Sequence, residues 1–234
     1  MTKTYAVGLS NTVNRLDEHG SVDPLWATLV PIGDNETDWR DVMSDPTNPN
    51  KVIIVGTSLL DEVNNSIQIS SDSGLTWSTP TGNWSTSDYF FEVWYVDVDT
   101  IWAIAKNGVV VISTDGGPSF NKTDLDVGVG SPGDYEWTAA IHAVSPTIAV
   151  VLGSKTSGIY EDNTYVWITT NGGSSWTTLN GGSLLENGLI DPLTGLEYAW
   201  AGVAQGIWVS PDQQKIVAGC GYAHFTSLDG GATF

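Results

Sequence analysis

Basic residues are scarce in this chain of 234 residues. Lysine and arginine together number 8 against 27 aspartates and glutamates, a formal net charge of −19 at neutral pH. Such a surface repels phosphate backbones and anionic bilayers, which argues against nucleic-acid binding. Cysteine is scarcer still. Cys220 stands alone in Val217-Ala218-Gly219-Cys220-Gly221, so neither an intrachain disulfide nor a thiolate metal cluster can form from these residues. Its apolar neighbours predict a small buried core residue. No apolar run reaches membrane-spanning length, so no membrane insertion is expected. Sustained helical periodicity is absent. The amino terminus, Met1-Thr2-Lys3-Thr4-Tyr5-Ala6, offers no apolar core of a secretory signal. The glycosylation-like triplets at Asn35, Asn64, Asn83 and Asn121 then read as chance in a chain rich in Asn and Thr.

What is abundant is glycine, tryptophan and a repeated pattern. Ser70-Ser71-Asp72-Ser73-Gly74-Leu75-Thr76-Trp77 is echoed by Ser113-Thr114-Asp115-Gly116-Gly117-Pro118-Ser119-Phe120. A third copy reads Thr169-Thr170-Asn171-Gly172-Gly173-Ser174-Ser175-Trp176. The fourth is Ser227-Leu228-Asp229-Gly230-Gly231-Ala232-Thr233-Phe234. Recurrence at a spacing of tens of residues marks a repeat architecture. The local chemistry is a tight turn. The Asp or Asn oxygen accepts backbone amides ahead of it, and the Gly supplies positive φ without steric strain. Apolar strands run into each turn, for example Val109-Val110-Val111-Ile112 and Tyr165-Val166-Trp167-Ile168. The closing aromatic then starts a further strand as a buried anchor. Each copy therefore predicts a β-hairpin.

These motifs resemble the Asp-box, or bacterial neuraminidase repeat, of the sialidase, xyloglucanase and sortilin-like superfamily. The resemblance implies an all-β fold: a β-propeller of four-stranded antiparallel blades, each box joining the third and fourth strands at the rim. Asp45-Pro46-Thr47-Asn48-Pro49-Asn50 also resembles the turn between first and second strands in such proteins. Four blades are expected within residues 25–234, behind an extension at 1–24. Their second strands are Val52–Val55, Ile101–Ile104, Ile148–Val151 and Lys215–Ala218. Leu25-Trp26-Ala27-Thr28-Leu29 resembles Trp176-Thr177-Thr178-Leu179 and reads as an outer strand without a box of its own, with closure of a four-bladed ring as one alternative and further blades beyond Phe234 as the favoured one. Because the fourth copy stops inside its motif, the chain reads as part of a longer protein. For the box residues themselves, Ser70, Asp72, Gly74, Trp77, Ser113, Asp115, Gly117, Phe120, Thr169, Asn171, Gly173, Trp176, Ser227, Asp229, Gly231 and Phe234, the expected role is structural.

Candidate sites for chemistry are few. Sialidases of this resemblance clamp a carboxylate with three arginines, and only Arg15 and Arg40 exist here. No pair of carboxylates can be nominated by spacing for glycoside hydrolysis. His19, His142 and His224 lie too far apart in sequence for metal-ligand spacing. No catalytic residue and no cofactor is therefore predicted. Asp97 with Asp99, and Asp124 with Asp126, are weak candidates for a divalent cation, though neither matches a calcium loop. Trp84, Tyr89, Trp137 and Tyr160 are candidates for stacking on sugar rings, with packing between blades as the alternative for each.

Three classes of role remain. The first is a non-catalytic structural component of a larger assembly, with other protein subunits as partners. A phage virion fits best: its tail, fibre or capsid-associated proteins are made in the host cytoplasm and released without export. The second is a glycan-binding or glycoside-hydrolase-type module, extracellular in location. A third, a photosystem-assembly type of propeller, is disfavoured because its relatives carry an arginine-rich patch.

Overall fold

The computed structural model of the chain describes residues 3–9, 11–17, 26–31, 37–58, 67–84, 88–125, 136–156, 162–179, 204–220 and 223–234. Among them there is no α-helix, and a 3-10 turn lies at Lys106–Gly108. The structure is all-β, built of small sheets in chain order. The first sheet joins β1 (Lys3–Gly8), β2 (Thr12–Asp17) and β3 (Trp26–Leu29), all antiparallel. The second joins β4 (Thr37–Ser44), β5 (Val52–Ser58) and β6 (Ile67–Ser70). In the third, β7 (Thr81–Gly82), β11 (Ser119–Asp124), β10 (Val109–Ser113), β9 (Ile101–Ala105) and β8 (Phe90–Tyr95) lie side by side in that order. The fourth runs β12 (Glu136–Ser145), β13 (Ile148–Thr156), β14 (Asp162–Thr169) and β15 (Thr177–Thr178). The fifth joins β16 (Ala204–Val209), β17 (Ile216–Cys220) and β18 (Ala223–Ser227).

The strands form where the apolar runs predict them. Val52-Ile53-Ile54-Val55, Ile101–Ala105 and Ala149–Leu152 are fully buried, because each lies in an inner strand with a neighbour on either side and is covered on both faces. The four repeated motifs follow β6, β10, β14 and β18, so each sits at the turn leaving the third strand of its sheet.

Residues 1–24 are more than an extension. Two of the three strands of the first sheet come from this stretch. The segment expected at 25–29 forms a strand at Trp26–Leu29, and its hydrogen-bonded neighbour is β2 rather than a strand of a later motif. The apolar alternation of Tyr5, Val7, Val13 and Leu29 explains the difference: these residues pack on Trp39, Val52, Ile54 and Trp77.

Two compact units divide the chain. One comprises Met1–Ala103 with Val111–Lys122, the other Ile104–Val110 with Thr123–Phe234. The core just described lies in the first. In the second, Ala140, Val150, Leu152, Val166, Val209, Ile216 and Ala218 form a buried cluster, with Phe225 and Phe234 packed against it.

Candidate functional site

Each motif builds the same cage of hydrogen bonds. In the first, the Ser70 hydroxyl donates to Asp72 Oδ1 (2.8 Å) and accepts the amide of Gly74 (2.7 Å). Asp72 in turn accepts the Thr76 amide (2.8 Å) and the Thr76 hydroxyl (2.7 Å). Around Asp115 the partners are Ser113, Gly117 and Ser119, and around Asp229 they are Ser227 and Thr233. The third motif substitutes Asn171. Its Oδ1 accepts the Thr169 hydroxyl and the Ser175 amide, while its Nδ2 donates to Ser175 Oγ (2.8 Å), so one bond reverses direction and the cage survives.

These bonds set the charge state. For Asp72, the Thr76 amide and hydroxyl are the leading cause, and the carboxyl falls to about 2. Asp229 reaches about 2 chiefly through the Thr233 hydroxyl and amide. Burial pushes Asp115 up, yet the hydroxyls of Ser119 and Ser113 outweigh it and hold the group at about 2. A carboxylate accepting several donors is stabilised in its charged form.

A second lock recurs at every motif. The residue between the Asp or Asn and the second glycine has positive φ in every copy: Ser73 (65°), Gly116 (76°), Gly172 (67°) and Gly230 (70°). Its amide donates to the turn joining the first two strands of its own sheet. The acceptors are Asn50, Asp99, Thr147 and Gln214, at 2.7, 2.8, 2.9 and 2.9 Å. Those turns are capped from within by Asp45, Asp97, Ser145 and Ser210. Asp97 is thus engaged by the amides of Asp99 and Thr100. Among the described residues no group of three or more His, Cys, Asp and Glu is placed to hold a metal. Asp124 ends β11, and Asp126 lies outside the described residues.

Aliphatic plugs link neighbouring sheets within each unit. A Cβ on Gly74 would sit 2.2 Å from Leu29 Cδ1, one on Gly117 2.3 Å from Ile69 Cδ1, and one on Gly231 2.5 Å from Leu179 Cδ1. Each motif glycine therefore seats a side chain from another sheet. At Gly173 the link is polar instead, the Thr123 hydroxyl donating to its carbonyl (2.9 Å). The first motif is also gripped by cations. Lys3 Nζ donates to Asn50 Oδ1 and Ser73 Oγ, and Arg15 Nη1 to the Ser73 carbonyl (2.6 Å). The edge of β8 is covered as well: Asp41 Oδ2 accepts the Val93 amide and Met43 Sδ the Tyr95 amide. Burial, the larger influence, raises the Asp41 carboxyl.

Of the sugar-stacking candidates, Trp84 is corrected. It is 5% exposed and meets Phe90 and Phe120 edge to face at 6.1 Å each, so neither ring face is open. Tyr89 is half-buried just ahead of β8. Trp137 lies in β12, its side chain outside the described residues, as is Tyr160 altogether. His142 is half-buried in β12, and burial lowers its pKa; His224 lies on β18 and His19 is outside the described residues.

The first two motifs instead flank a groove of about 450 Å³ that sequence reasoning did not single out. Ser71, Thr76, Trp77, Ser78, Thr79 and Pro80 line one side, Asp115–Pro118 the other, with Lys51 and Ile69. Lys51 Nζ reaches the Val98 carbonyl (3.3 Å) and passes where a Cβ on Gly116 would sit 2.5 Å away. Trp77 is 8% exposed, and its buried indole N–H makes no hydrogen bond. Leaving such a donor unsatisfied costs about 1–3 kcal/mol. The residues that sequence reasoning missed, Lys51 and Pro80, lie outside the repeated octets. The one available signal was the adjacency of Lys51 to the predicted turn at 45–50.

No family model matches the chain, and no curated protein matches it. Solved structures do. The GH74 xyloglucanase from Xanthomonas campestris superposes at a TM-score of 0.69 with 13% identity, over 98% of this chain and 35% of that one. YCF48 from Cyanidioschyzon merolae gives 0.55 and 21%, over 84% of this chain and 55% of that one. A PL25 ulvan lyase bound to -[GlcA(1-4)Rha3S]- gives 0.55 and 12%, over 99% and 68%. The chain spans 29%, 55% and 35% of the first three such structures, the 29% being an ancestral GH74 enzyme. At these identities the likeness is one of fold, to β-propeller-like proteins.

Proposed function

We propose that the chain is a non-catalytic β-propeller of four-stranded, Asp-box blades that holds its place in a larger protein assembly, a phage particle being the assembly we favour. One observation carries this reading. The motif carboxylates are spent on capping backbone: Asp72, Asp115 and Asp229 each accept amides and hydroxyls of their own turn. A general acid or base needs a labile proton near neutral pH, and these carboxyls, held at about 2, are not fitted to that task. A single cysteine suits folding in a reducing cytoplasm before release. The test is joint: light scattering of the purified chain with and without co-expressed neighbours of its reading frame, and turnover assays on xyloglucan and ulvan. Incorporation into particles without turnover is the expected result. A monodisperse monomer with glycan turnover and no partner overturns it.

A second reading is a glycan-binding module. The groove between the first two motifs favours it, with hydroxyls of Ser71, Thr76, Ser78 and Thr79 beside Lys51 and Asp115. The GH74 xyloglucanase and the PL25 ulvan lyase supply only the fold on which such a site would stand.

A further inference from the structure

We propose that the groove between the first and second turn motifs binds a short neutral saccharide, using Lys51, Ser71, Trp77 and Asp115 as its recognition residues. The inference rests on the glycan-binding reading and gives that reading a location and a ligand class.

The lining pairs one cation with one anion. Lys51 makes a single long bond to the Val98 carbonyl, which leaves ammonium hydrogens for a ligand. Asp115 Oδ2 accepts only the Ser119 hydroxyl and keeps lone-pair capacity. A sugar hydroxyl both donates and accepts, so neighbouring hydroxyls on one ring satisfy this pair together. A phosphate or sulfate would meet Lys51 but also the Asp115 charge, on a chain carrying −19. The exposed Ser71 and Ser78 add hydroxyls, while the exposed Pro118 supplies apolar surface for the C–H face of a ring.

Backbone pairing discriminates against a peptide. Strand addition needs a free edge of amides and carbonyls. Here Ser78 and Ile69 already exchange both bonds at 2.9 Å, and the Thr81 amide donates to the Pro118 carbonyl at 3.0 Å. The groove therefore offers side chains rather than an edge. Its volume lies toward the lower end of small-ligand sites, roughly 300–1,000 Å³, which sets the ligand at two or three sugar units. The Trp77 indole supplies an independent readout. The ring lines the groove while its N–H is buried on the core side without a partner, so its signal reports any ligand that presses on that wall.

The test is a titration of the whole chain with cellobiose, xylobiose, mannobiose, maltose and lactose, followed by calorimetry and by the indole N–H signals in a nitrogen-15 correlation spectrum. Trp77→Phe identifies the Trp77 signal. Binding of at least one of these sugars, with a shift of that signal and a tenfold or greater loss of affinity in Lys51→Met, is the expected result. Lys215→Met, in the other unit, should leave affinity unchanged. Should a sugar bind with the Trp77 signal still and Lys51→Met unaffected, the location is wrong while the glycan reading stands. Absence of binding by every sugar overturns both. The wild-type shift decides the matter even if a variant folds poorly.

Discussion

At the scale of the residue, the motif Asp is a cap whose partners can be counted. Asp115→Ala should destabilise the protein by about 1–3 kcal/mol, because the amides of Gly117 and Ser119 lose their acceptor. Asp124→Ala, at the exposed end of β11, should cost less than about 0.5 kcal/mol. Equal shifts of the two denaturation midpoints would contradict these roles. Acid should expose the same caps. Asp72, Asp115 and Asp229 titrate at about 2 when folded, below the ordinary carboxylate value near 3.9. A depressed folded pKa gives stability that is complete above the unfolded value and lost as pH falls towards the folded one, so unfolding midpoints should drop between about pH 4 and pH 2. Asn171 has no proton to gain. Asn171→Asp should keep the third cage, with the Ser175 hydroxyl turning to donate, and should steepen the acid dependence. A loss of fold at neutral pH would show that the amide hydrogen of Asn171 is indispensable. Much of this was legible from sequence, since a hydroxyl, an acidic or amide residue and a glycine at fixed spacing name the donors and acceptor of one turn. Positive φ at Ser73 was not legible, because a serine gives no sign that Lys3, Arg15 and Asn50 hold it there.

At the scale of the element, sheets within a unit are joined by small interdigitations at the motif glycines. Gly117→Ala should be the most damaging glycine change tested, since its φ is 114° and the new methyl would meet Ile69. A loss of about 2 kcal/mol or more follows from overpacking alone. Gly172→Ala meets nothing nearer than the Pro146 carbonyl at 3.7 Å and should cost only the left-handed conformation, about 1–2 kcal/mol. Thermal melts of the two variants distinguish crowding from backbone strain. Strand positions were legible because buried runs such as Val52–Val55 and Ile101–Ala105 carry their burial in composition. The pairing of Trp26–Leu29 with β2 was not, because its likeness to Trp176–Leu179 reports a shared plug, Leu29 on Gly74 and Leu179 on Gly231, and says nothing of which strand lies alongside.

For the molecule as a whole, the N-terminal sheet and the charge are the features with measurable reach. Deleting residues 1–32 removes Val13 and Leu29 from the cluster around Trp39 and Trp77, together with the Lys3 and Arg15 contacts to the first motif. A large fall in stability is expected, and an unchanged melting curve would show that this sheet is dispensable. Sialidase activity is not expected, as two arginines cannot build a three-arginine clamp; release of sialic acid from a fluorogenic substrate would overturn that. The all-β class and the places of the four turns were readable from four spaced motifs, whereas the groove was not, because Lys51 and Pro80 come to one groove only through folding.

One consequence belongs to time rather than to shape. Amides in surface loops ordinarily exchange with solvent deuterium first, yet those of Ser73, Gly116, Gly172 and Gly230 each end on a carbonyl of the adjoining turn of the same sheet. Four loop protons should therefore persist like strand protons, each released only when its own sheet opens. Followed together, they would act as four clocks on one molecule, reporting the order in which its sheets come apart.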